Sequence, residues 1–168
     1  MPSAESSSRS FEIIPADYTD PRHQELIPFL LDAYARDPLG GGEPLRDEVK
    51  ANLVGELRKL PQALSLLGFC EGRPAGLVNA FFGFSTFQGR ALLNIHDMIV
   101  LSEYRGLGLS QQLLAAAETI ARAKGCCKLT LEVQSGNEVA MGSYRKFGFS
   151  GYELDPRHGQ AQFWQKLL

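Results

Sequence analysis

The chain has 168 residues, of which 44% are hydrophobic and 21% are charged, as expected for one globular domain with a full core. Its formal net charge is −2, from 17 basic and 19 acidic residues, which gives no electrostatic support for binding to nucleic acid. No apolar run approaches the ~20 residues that a membrane span needs, so a membrane is not an expected partner either.

The N-terminus and the cysteines indicate where the protein works. Residues 1–10 are rich in serine and lack an apolar stretch, which argues against a secretory signal. We therefore predict a disordered tail over residues 1–10 and a single domain over residues 11–168. Cys70, Cys126 and Cys127 form a poor disulfide framework, because their number is odd and two are adjacent, and this favours a cytoplasmic protein. The adjacent pair is expected to pack in the core rather than to act as a nucleophile, and no Cys/His spacing indicates a metal site.

Hydrophobic periodicity and turn residues predict the elements in chain order. Strand 11–15 is followed by helices 21–36 and 44–59, with a glycine-rich loop between the two helices. Strands 63–71 and 74–85 form a hairpin and precede the central strand 91–101. Helix 107–124, strand 127–134, helix 137–147 and strands 149–154 and 160–168 complete the chain.

This order of elements predicts the fold class. A strand, a helix and a second strand between residues 91 and 134 require a parallel pair joined by a right-handed crossover. The hairpins before and after this unit are antiparallel. We therefore expect an α/β (α+β) fold with a mixed, mostly antiparallel central sheet of six to seven strands, a parallel pair around helix 107–124, and helices on both faces.

The turn between the central strand and helix 107–124 has the composition of an anion site. Gly106 and Gly108 lack side chains, so a phosphate can approach the backbone closely, and the first turn of the helix offers N–H groups and the positive end of its dipole. The chain lacks the Gly-x-x-x-x-Gly-Lys-Ser/Thr run of a mononucleotide loop, and Gln111 stands where a dinucleotide fingerprint has its third glycine. The pattern Arg-x-x-Gly-x-Gly/Ala remains, and Arg105, Gly108 and Ser110 fit it. A phosphorylated cofactor is expected at this turn.

A second motif lies downstream of the turn. Residues 137–149 read Asn-Glu-Val-Ala-Met-Gly-Ser-Tyr-Arg-Lys-Phe-Gly-Phe, which fits the pattern Asn-x-x-Ala-x-x-x-Tyr-x-x-x-Gly-Phe. With both motifs, the chain resembles the GNAT superfamily of acyl-CoA N-acyltransferases over nearly its whole length, most firmly over residues 92–149. The resemblance implies the GNAT fold and an N-acetyltransferase that uses acetyl-CoA.

The resemblance also implies which residues hold the cofactor. The backbone amides of the turn would cradle its pyrophosphate, and those of residues 98–100 would pair with the pantetheine arm and the thioester carbonyl. Asn137 either bonds the pantetheine or caps its own helix, and Arg105 pairs either with phosphate or with a surface carboxylate. The implied cofactor-binding residues are Met98, Ile99, Val100, Arg105, Gly106, Leu107, Gly108, Leu109, Ser110, Gln111, Asn137 and Ala140.

Acyl transfer to an amine needs a base, because a primary amine has a pKa near ~10.4 and arrives protonated. His96 and Asp97 are the candidates on the central strand. Asp97 and the residues around it resemble the Glu-Asp-x-x-Val signature of the spermidine/spermine acetyltransferase-like branch, in which the Glu is the proposed base. His96 replaces that Glu, and a histidine can retain the role because it titrates near pH 7. The alternative is a histidine hydrogen-bonded inside the sheet. In a regular strand only one of the two side chains enters the cleft, unless a bulge relaxes the alternation.

The departing thiolate needs an acid. Tyr144 falls at the tyrosine of the family pattern, and a phenol can donate a proton to a thiolate whose conjugate acid has a pKa of ~8.5. The resemblance therefore implies that Tyr144 is the acid. The alternative is a core tyrosine packed above the sheet.

The acceptor side is less specified. Four residues of the first helix and the following loop could attract a cationic amine, although each also fits a solvated surface: Asp32, Tyr34, Asp37 and Glu43. Four aromatic residues crowd one hairpin and fit an apolar pocket, a homodimer contact or the core: Phe81, Phe82, Phe84 and Phe87. The expected reaction is direct attack of a small molecule's primary amine on acetyl-CoA. Alternatives are a protein or peptide amine as acceptor, and a non-catalytic regulatory module that binds acetyl-CoA.

Overall fold

The computed structural model of the protein describes residues 9–152, residue 157 and residues 162–168, so all but the last two residues of the predicted tail lie outside it. The described residues fall into two compact units, one ending at Gln134 and one beginning at Ser135. The elements of the first unit are β1 (Phe11–Pro15), α1 (Pro21–Ala35), α2 (Asp47–Arg58), β2 (Ala63–Cys70), β3 (Arg73–Ser85), β4 (Arg90–Val100), a 3-10 turn (Ser102–Tyr104), α3 (Leu109–Ala123) and β5 (Leu129–Leu131).

The strands of the first unit form one mixed sheet in the order β1-β2-β3-β4-β5. The first four strands are antiparallel, and β4 and β5 are parallel, which confirms the predicted mixed sheet with its crossover helix. The described residues contain five strands rather than six to seven. Of the two predicted C-terminal strands, residues 149–152 and 162–168 are not in strands, and the other positions lie outside the described residues.

Helices cover both faces of this sheet, as predicted. On one face Ile27 and Leu30 of α1 join Val54 and Leu57 of α2 in a buried cluster with strand residues that include Leu77. Each fully buried leucine or isoleucine contributes roughly 1.5–3 kcal/mol to stability, so this cluster fixes α1 against the sheet.

α3 packs closely against the other face. A Cβ atom on Gly76 of β3 would lie 2.7 Å from the carbonyl oxygen of Ile99 and 3.1 Å from the Leu113 side chain. Gly76 therefore lets the backbone of β3 approach α3. This packing holds the N-terminus of α3 in place beside the end of β4.

β4 is interrupted by a β-bulge at His96. Asn79 of β3 pairs with Asp97, but the next residue, Ala80, pairs with Ile95, so His96 is an extra residue on β4. A bulge breaks the alternation of side chains. The kind of bulge that relaxes the alternation is therefore present, at the two residues that are predicted to be catalytic.

The described residues of the second unit include the helix α4 (Glu138–Phe147). Asn137 caps its start with a hydrogen bond from the Ala140 N–H to Asn137 Oδ1 at 3.1 Å. Gly148 ends it in the left-handed region with φ at +108°, as is common after a helix.

Several boundaries differ from those predicted. α2 begins at Asp47 rather than at residue 44, and β5 has three residues rather than eight. Acidic Asp47 and Glu48 in the first turn of α2 favour the observed start, because they complement the helix dipole. Among the described helices, none combines the length and apolar character that crossing a bilayer requires.

Candidate active site

The predicted phosphate turn has an open, side-chain-free backbone. Gly106 and Gly108 have φ values of +76° and +89°, a region that L-residues rarely adopt. A Cβ atom on either glycine would meet nothing within 4 Å. Gly108 is the N-cap of α3, which has neither a side-chain cap nor an acidic residue in its first turn. The start of α3 is thus accessible to an anion, and this geometry fits a cofactor phosphate.

The edge of β4 beside this turn is not covered by a strand in the described part of the chain. The Leu101 N–H donates to the Ala75 carbonyl at 2.9 Å and so points toward β3. Peptide groups alternate along a strand, so those of Met98 and Val100 face the opposite edge, whereas that of Ile99 faces β3. β5 pairs with β4 only at residues 93–95. The N–H groups of Met98 and Val100 therefore face an edge that β5 leaves unpaired, and their contact with pantetheine remains a prediction.

The other residues of the turn have different surroundings. Leu107 is exposed, whereas the Leu109 side chain is buried in the core, so that Leu109 would contact a ligand through its backbone. Ser110 and Gln111 follow in the first turn of α3. The turn therefore offers its backbone, rather than apolar side chains, to a cofactor.

Arg105 contacts a carboxylate in this structure. Its Nε donates to the Val100 carbonyl at 3.0 Å, and its Nη2 donates to Asp37 Oδ2 at 2.9 Å. The side chain thus ties the cofactor turn to the loop that follows α1. The observed contact is the surface-carboxylate alternative, and a phosphate contact of the Arg105 side chain remains a prediction.

Next to the bulge, His96 and Asp97 have different surroundings, although both contact residues on the same face of β3. The His96 ring is exposed and lies edge-on to Phe81, with 5.7 Å between the ring centroids. Asp97 is half-buried, and its Oδ2 accepts from Asn79 Nδ2 at 3.1 Å. Phe81 and Asn79 are two residues apart on β3 and so share a face. The exposure of His96 does not fit the alternative of a histidine buried inside the sheet.

Tyr34 connects α1 to this face. Burial raises the pKa of the Tyr34 phenol, and the negative charges of Asp97 and Asp37 raise it further. The phenol is therefore neutral near pH 7. Among the four predicted acceptor residues, Tyr34 is the one whose pKa is affected by the charge of Asp97.

The other acceptor candidates mainly organise the loop between α1 and α2. Asp32 Oδ1 accepts from the Leu45 N–H at 2.8 Å, and its Oδ2 accepts from Arg36 Nε at 2.8 Å. Asp37 accepts from the Leu39 N–H at 3.0 Å as well as from Arg105. The Leu39 N–H and then the Arg105 guanidinium hold the pKa of the Asp37 carboxyl below its usual range. Glu43 is exposed on the same loop.

We expect Asp32→Asn to lower stability at neutral pH. The Arg36 guanidinium and the Leu45 N–H hold the pKa of the Asp32 carboxyl below its usual range. A lowered folded-state pKa stabilises the fold above the unfolded value of ~3.9, and this contribution is lost as the pH falls through the folded value. The variant should melt roughly 2–4 °C below the wild type at pH 7, for a loss of about 1 kcal/mol, and the difference should shrink below pH ~4.

Melting curves by circular dichroism between pH 7 and pH 3 would measure this difference. Glu56→Gln is a matched control, because Glu56 forms an exposed ion pair with Lys59 at the C-terminal end of α2 and such pairs contribute little to stability. A constant difference at all pH values would show that Asp32 acts through its shape rather than through its charge.

The second unit carries the remaining predicted site residues. Tyr144 is half-buried on α4, and its ring lies edge-on to Phe149 with 5.9 Å between centroids. Asn137 makes the helix-capping bond that was its alternative role, and Ala140 supplies the N–H of that bond. The acid role of Tyr144 and the pantetheine role of Asn137 remain predictions.

The cysteines and the hairpin aromatics have simpler outcomes. Burial, and then neighbouring Cys127, raise the pKa of the Cys126 thiol, which disfavours the thiolate that a nucleophile needs. Phe81 packs against the buried cluster of α1 and α2, but Phe84 and Phe87 are 63% and 89% exposed. A core role is therefore wrong for these last two residues.

Three polar residues near Asp97 were not anticipated from the sequence. Ser65 on β2 and Asn79 on β3 are 1% and 3% exposed, and Tyr18 lies beside Ser65. A serine and an asparagine that interrupt apolar, buried strands are the signal that marks them, because buried polar side chains need partners.

Comparison with known proteins places the chain among acetyltransferases. The sequence model described as Acetyltransferase (GNAT) family matches residues 27–149. The thialysine N-epsilon-acetyltransferase of Bos taurus is 35% identical over 68 residues, which are 40% of this chain and 39% of that protein. The glucosamine 6-phosphate N-acetyltransferase of Trypanosoma brucei brucei is 38% identical over 72 residues, which are 43% of this chain and 47% of that protein. The chain thus spans less than half the length of these two relatives. Proteins named N-alpha-acetyltransferases also match.

Solved structures show the same fold. The aminoglycoside N-acetyltransferase AAC(6')-Iy in complex with CoA superimposes with a TM-score of 0.72 at 20% sequence identity. The match covers 94% of this chain and 95% of that one. At this level of identity the likeness concerns the fold.

Proposed function

The chain belongs to the GNAT acetyltransferase family, and we propose that it transfers the acetyl group of acetyl-CoA to the primary amine of a small molecule by direct nucleophilic attack. Enzymes of this family are acyltransferases that use acetyl-CoA. The observation that supports the proposal best is the sequence of features along β4. The bulge at His96, the uncovered peptide groups of Met98 and Val100, and the glycine turn before α3 follow one another within one stretch of chain.

Each feature has a role in the proposed reaction. Acetyl-CoA supplies a thioester, whose carbonyl carbon accepts the amine nitrogen. The turn at Gly106 and Gly108 holds the pyrophosphate on backbone N–H groups, and Met98 and Val100 orient the arm that carries the thioester. Backbone donors fixed in this way also stabilise negative charge on the carbonyl oxygen.

Three proton transfers accompany the reaction. His96, directly or through a water molecule, takes a proton from the ammonium group, so that the nitrogen lone pair can attack the thioester carbon. The C–S bond breaks as the new C–N bond forms, and Tyr144 gives its phenolic proton to the sulfur. The acylated nitrogen then loses its second proton, which restores the Tyr144 phenol directly or through water. Asp97 provides a carboxylate on the acceptor side, where it attracts an ammonium group. These roles are proposals that follow from the family motifs and from the geometry of β4.

The acceptor is proposed to be a small amine. The carboxylate of Asp97 and the phenol of Tyr34 suit a cationic group, and the names of two matched relatives refer to small amine compounds. A protein or peptide amine is the second candidate, because relatives named N-alpha-acetyltransferases also match. We also infer a cytoplasmic location, since the three cysteines are free thiols, and a homodimer remains a prediction that light scattering would test.

An amine panel tests this proposal. Purified protein would be incubated with acetyl-CoA and, in turn, with 1,4-diaminobutane, lysine, glucosamine 6-phosphate or a short peptide with a free N-terminus, and free thiol release would be recorded. Release with a small amine supports the proposal, and release with the peptide alone favours the second candidate. Binding of acetyl-CoA without release with any amine would indicate the regulatory module instead.

We expect His96→Ala to lower kcat/KM most near pH 7, with partial recovery as the pH rises. The fraction of free amine grows about tenfold per pH unit below its pKa of ~10.4, so that a base is needed less at higher pH. The loss near pH 7 should be about 10- to 100-fold, at the lower end of what general bases contribute. The measurement is a pH–rate profile from pH 6.5 to pH 9.5.

His23→Ala is the matched control, because His23 lies on α1 and accepts a hydrogen bond from the Asp17 N–H. It should leave the profile unchanged. An unchanged profile in His96→Ala as well would exclude His96 as the base and leave Asp97 or a water relay.

A further inference from the structure

A chain of hydrogen bonds crosses three strands and ends at Asp97. The Tyr18 hydroxyl lies 2.9 Å from Ser65 Oγ, and Ser65 Oγ donates to Asn79 Oδ1 at 2.7 Å. Asn79 Nδ2 then donates to Asp97 Oδ2 at 3.1 Å. Ser65, Asn79 and Asp97 are cross-strand partners in the sheet register, so that the strands themselves align this chain.

The donors in this chain all point toward the carboxylate. Ser65 has one proton, and it is used in the bond to Asn79 Oδ1, so Tyr18 must be the donor to Ser65. Because Asn79 accepts through its oxygen, its amide group is fixed with Nδ2 toward Asp97. An ionised carboxylate only accepts hydrogen bonds. The chain therefore ends with an N–H donor that fixes Oδ2 of the Asp97 carboxylate.

The middle of the chain is almost inaccessible to water. Ser65 and Asn79 are 1% and 3% exposed, and their strands are otherwise lined by apolar residues such as Leu66 and Val78. Buried polar groups cost free energy unless each has a partner. A network in which every polar group has a partner holds its side chains in one geometry. The Asp97 carboxylate at the end of the chain is held in the same way.

One oxygen of Asp97 is left for a ligand. Its Oδ2 accepts from Asn79, whereas its Oδ1 makes no hydrogen bond within the described residues, and no ion pair there includes Asp97. Tyr34 of α1 is near enough for the Asp97 charge to raise its pKa. A carboxylate that is partly shielded from water attracts a cation more strongly than a carboxylate in bulk solvent.

We propose that Asn79 is a positioning residue that holds the Asp97 carboxylate, through the buried chain Tyr18, Ser65 and Asn79, so that Asp97 Oδ1 receives the ammonium group of the acceptor. The inference rests on the proposed function, because it assigns a role in binding the amine of that reaction. Asn79 itself would touch neither substrate. Its loss should therefore affect the amine and leave acetyl-CoA binding unchanged.

The test compares Asn79→Leu, Ser65→Ala and Tyr18→Phe with the wild type, using the most active amine of the panel. Asn79→Leu should lower kcat/KM for the amine by about 10- to 100-fold, the effect of misplacing a reacting group by about 1 Å. Ser65→Ala and Tyr18→Phe act further along the chain and should cost about two- to tenfold, as for one neutral hydrogen bond. KM for acetyl-CoA and the thermal shift caused by acetyl-CoA should stay at the wild-type values.

Two controls separate positioning from simple destabilisation. Ala121→Gly weakens α3 near its C-terminal end, at a buried position that belongs neither to the chain nor to the cluster of α1 and α2. It should lower stability, because glycine disfavours a helix, while leaving kcat/KM for the amine unchanged. In an Asp97→Asn background, Asn79→Leu should change kcat/KM for the amine less than about twofold, since the carboxylate that it positions is gone.

Each outcome decides the matter. An active wild type whose folded Asn79→Leu and Tyr18→Phe variants retain full kcat/KM for the amine would overturn this inference and leave the proposed function intact. If Asn79→Leu lowers kcat/KM for the amine equally in the wild type and in the Asp97→Asn variant, this inference would also be overturned. If Asn79→Leu does not fold, Ser65→Ala and Tyr18→Phe carry the test. A wild type that releases no thiol with any amine would overturn the proposed function, and this inference with it.

Discussion

Acetyl-CoA should raise the melting temperature of the wild type, and Gly108→Val should abolish this shift. At a concentration 100 times its dissociation constant, a ligand adds about 2.7 kcal/mol of stability, which corresponds to roughly 5–10 °C for a chain of this size. Gly108 has a φ of +89° and open space where a Cβ would lie, so the new side chain would occupy the position proposed for the pyrophosphate. Differential scanning fluorimetry with and without acetyl-CoA measures the effect.

Gly125→Val is the matched control for backbone strain. Gly125 follows α3 at its other end, has a φ of +71°, and also has nothing within 4 Å of a built Cβ. Both variants should lose about 1–2 kcal/mol of stability, because an L-residue is strained in the left-handed region. Only Gly125→Val should keep the acetyl-CoA shift.

The same assay tests which cofactor binds. ATP and NAD should give no comparable shift, because the turn has neither the lysine of a mononucleotide loop nor the third glycine of a dinucleotide site. A clear shift with NAD and none with acetyl-CoA would contradict the cofactor assignment. A retained shift in Gly108→Val would move the phosphate site away from this turn.

The order of elements as far as α4 and the position of the glycine turn were predictable from the sequence because both rest on local patterns. Alternation and helical spacing depend on neighbouring residues, and the glycines of the turn are needed for the backbone itself, as the φ values of Gly106 and Gly108 show. The parallel pair followed from chain connectivity, since a strand, a helix and a strand leave one common arrangement.

The details of the site depend on contacts between distant residues. The bulge at His96 is a property of the β3–β4 register, and the ion pair of Arg105 joins residues 68 positions apart. The polar chain to Asp97 links β2, β3 and β4. The bulge, the ion pair and the polar chain leave no local pattern in the sequence, because each depends on which strand or loop packs against the residues concerned. The early end of β5 at Leu131 has the same origin, since alternation continues in the sequence beyond the last paired residue.

The largest catalytic effect is expected for Tyr144→Phe. The substitution removes one hydroxyl and keeps the ring, so the edge-on contact with Phe149 and the stability of the second unit should change little. If the phenol gives its proton to the departing sulfur, kcat should fall by about 100-fold, as is typical when a general acid is lost. KM for acetyl-CoA should stay near its wild-type value, because the hydroxyl is used in the reaction step rather than in binding.

Tyr152→Phe deletes the same atom from an exposed tyrosine of the second unit and should leave kcat unchanged. A thiolate leaving group with a low pKa needs the acid less, so the defect should also depend on the thioester. Thiophenyl acetate is a thioester whose leaving group, thiophenol, is more acidic than the thiol of CoA. With this substrate at high concentration, the rate of Tyr144→Phe should approach that of the wild type. Full activity of Tyr144→Phe with acetyl-CoA would instead assign Tyr144 to packing and identify water as the proton donor.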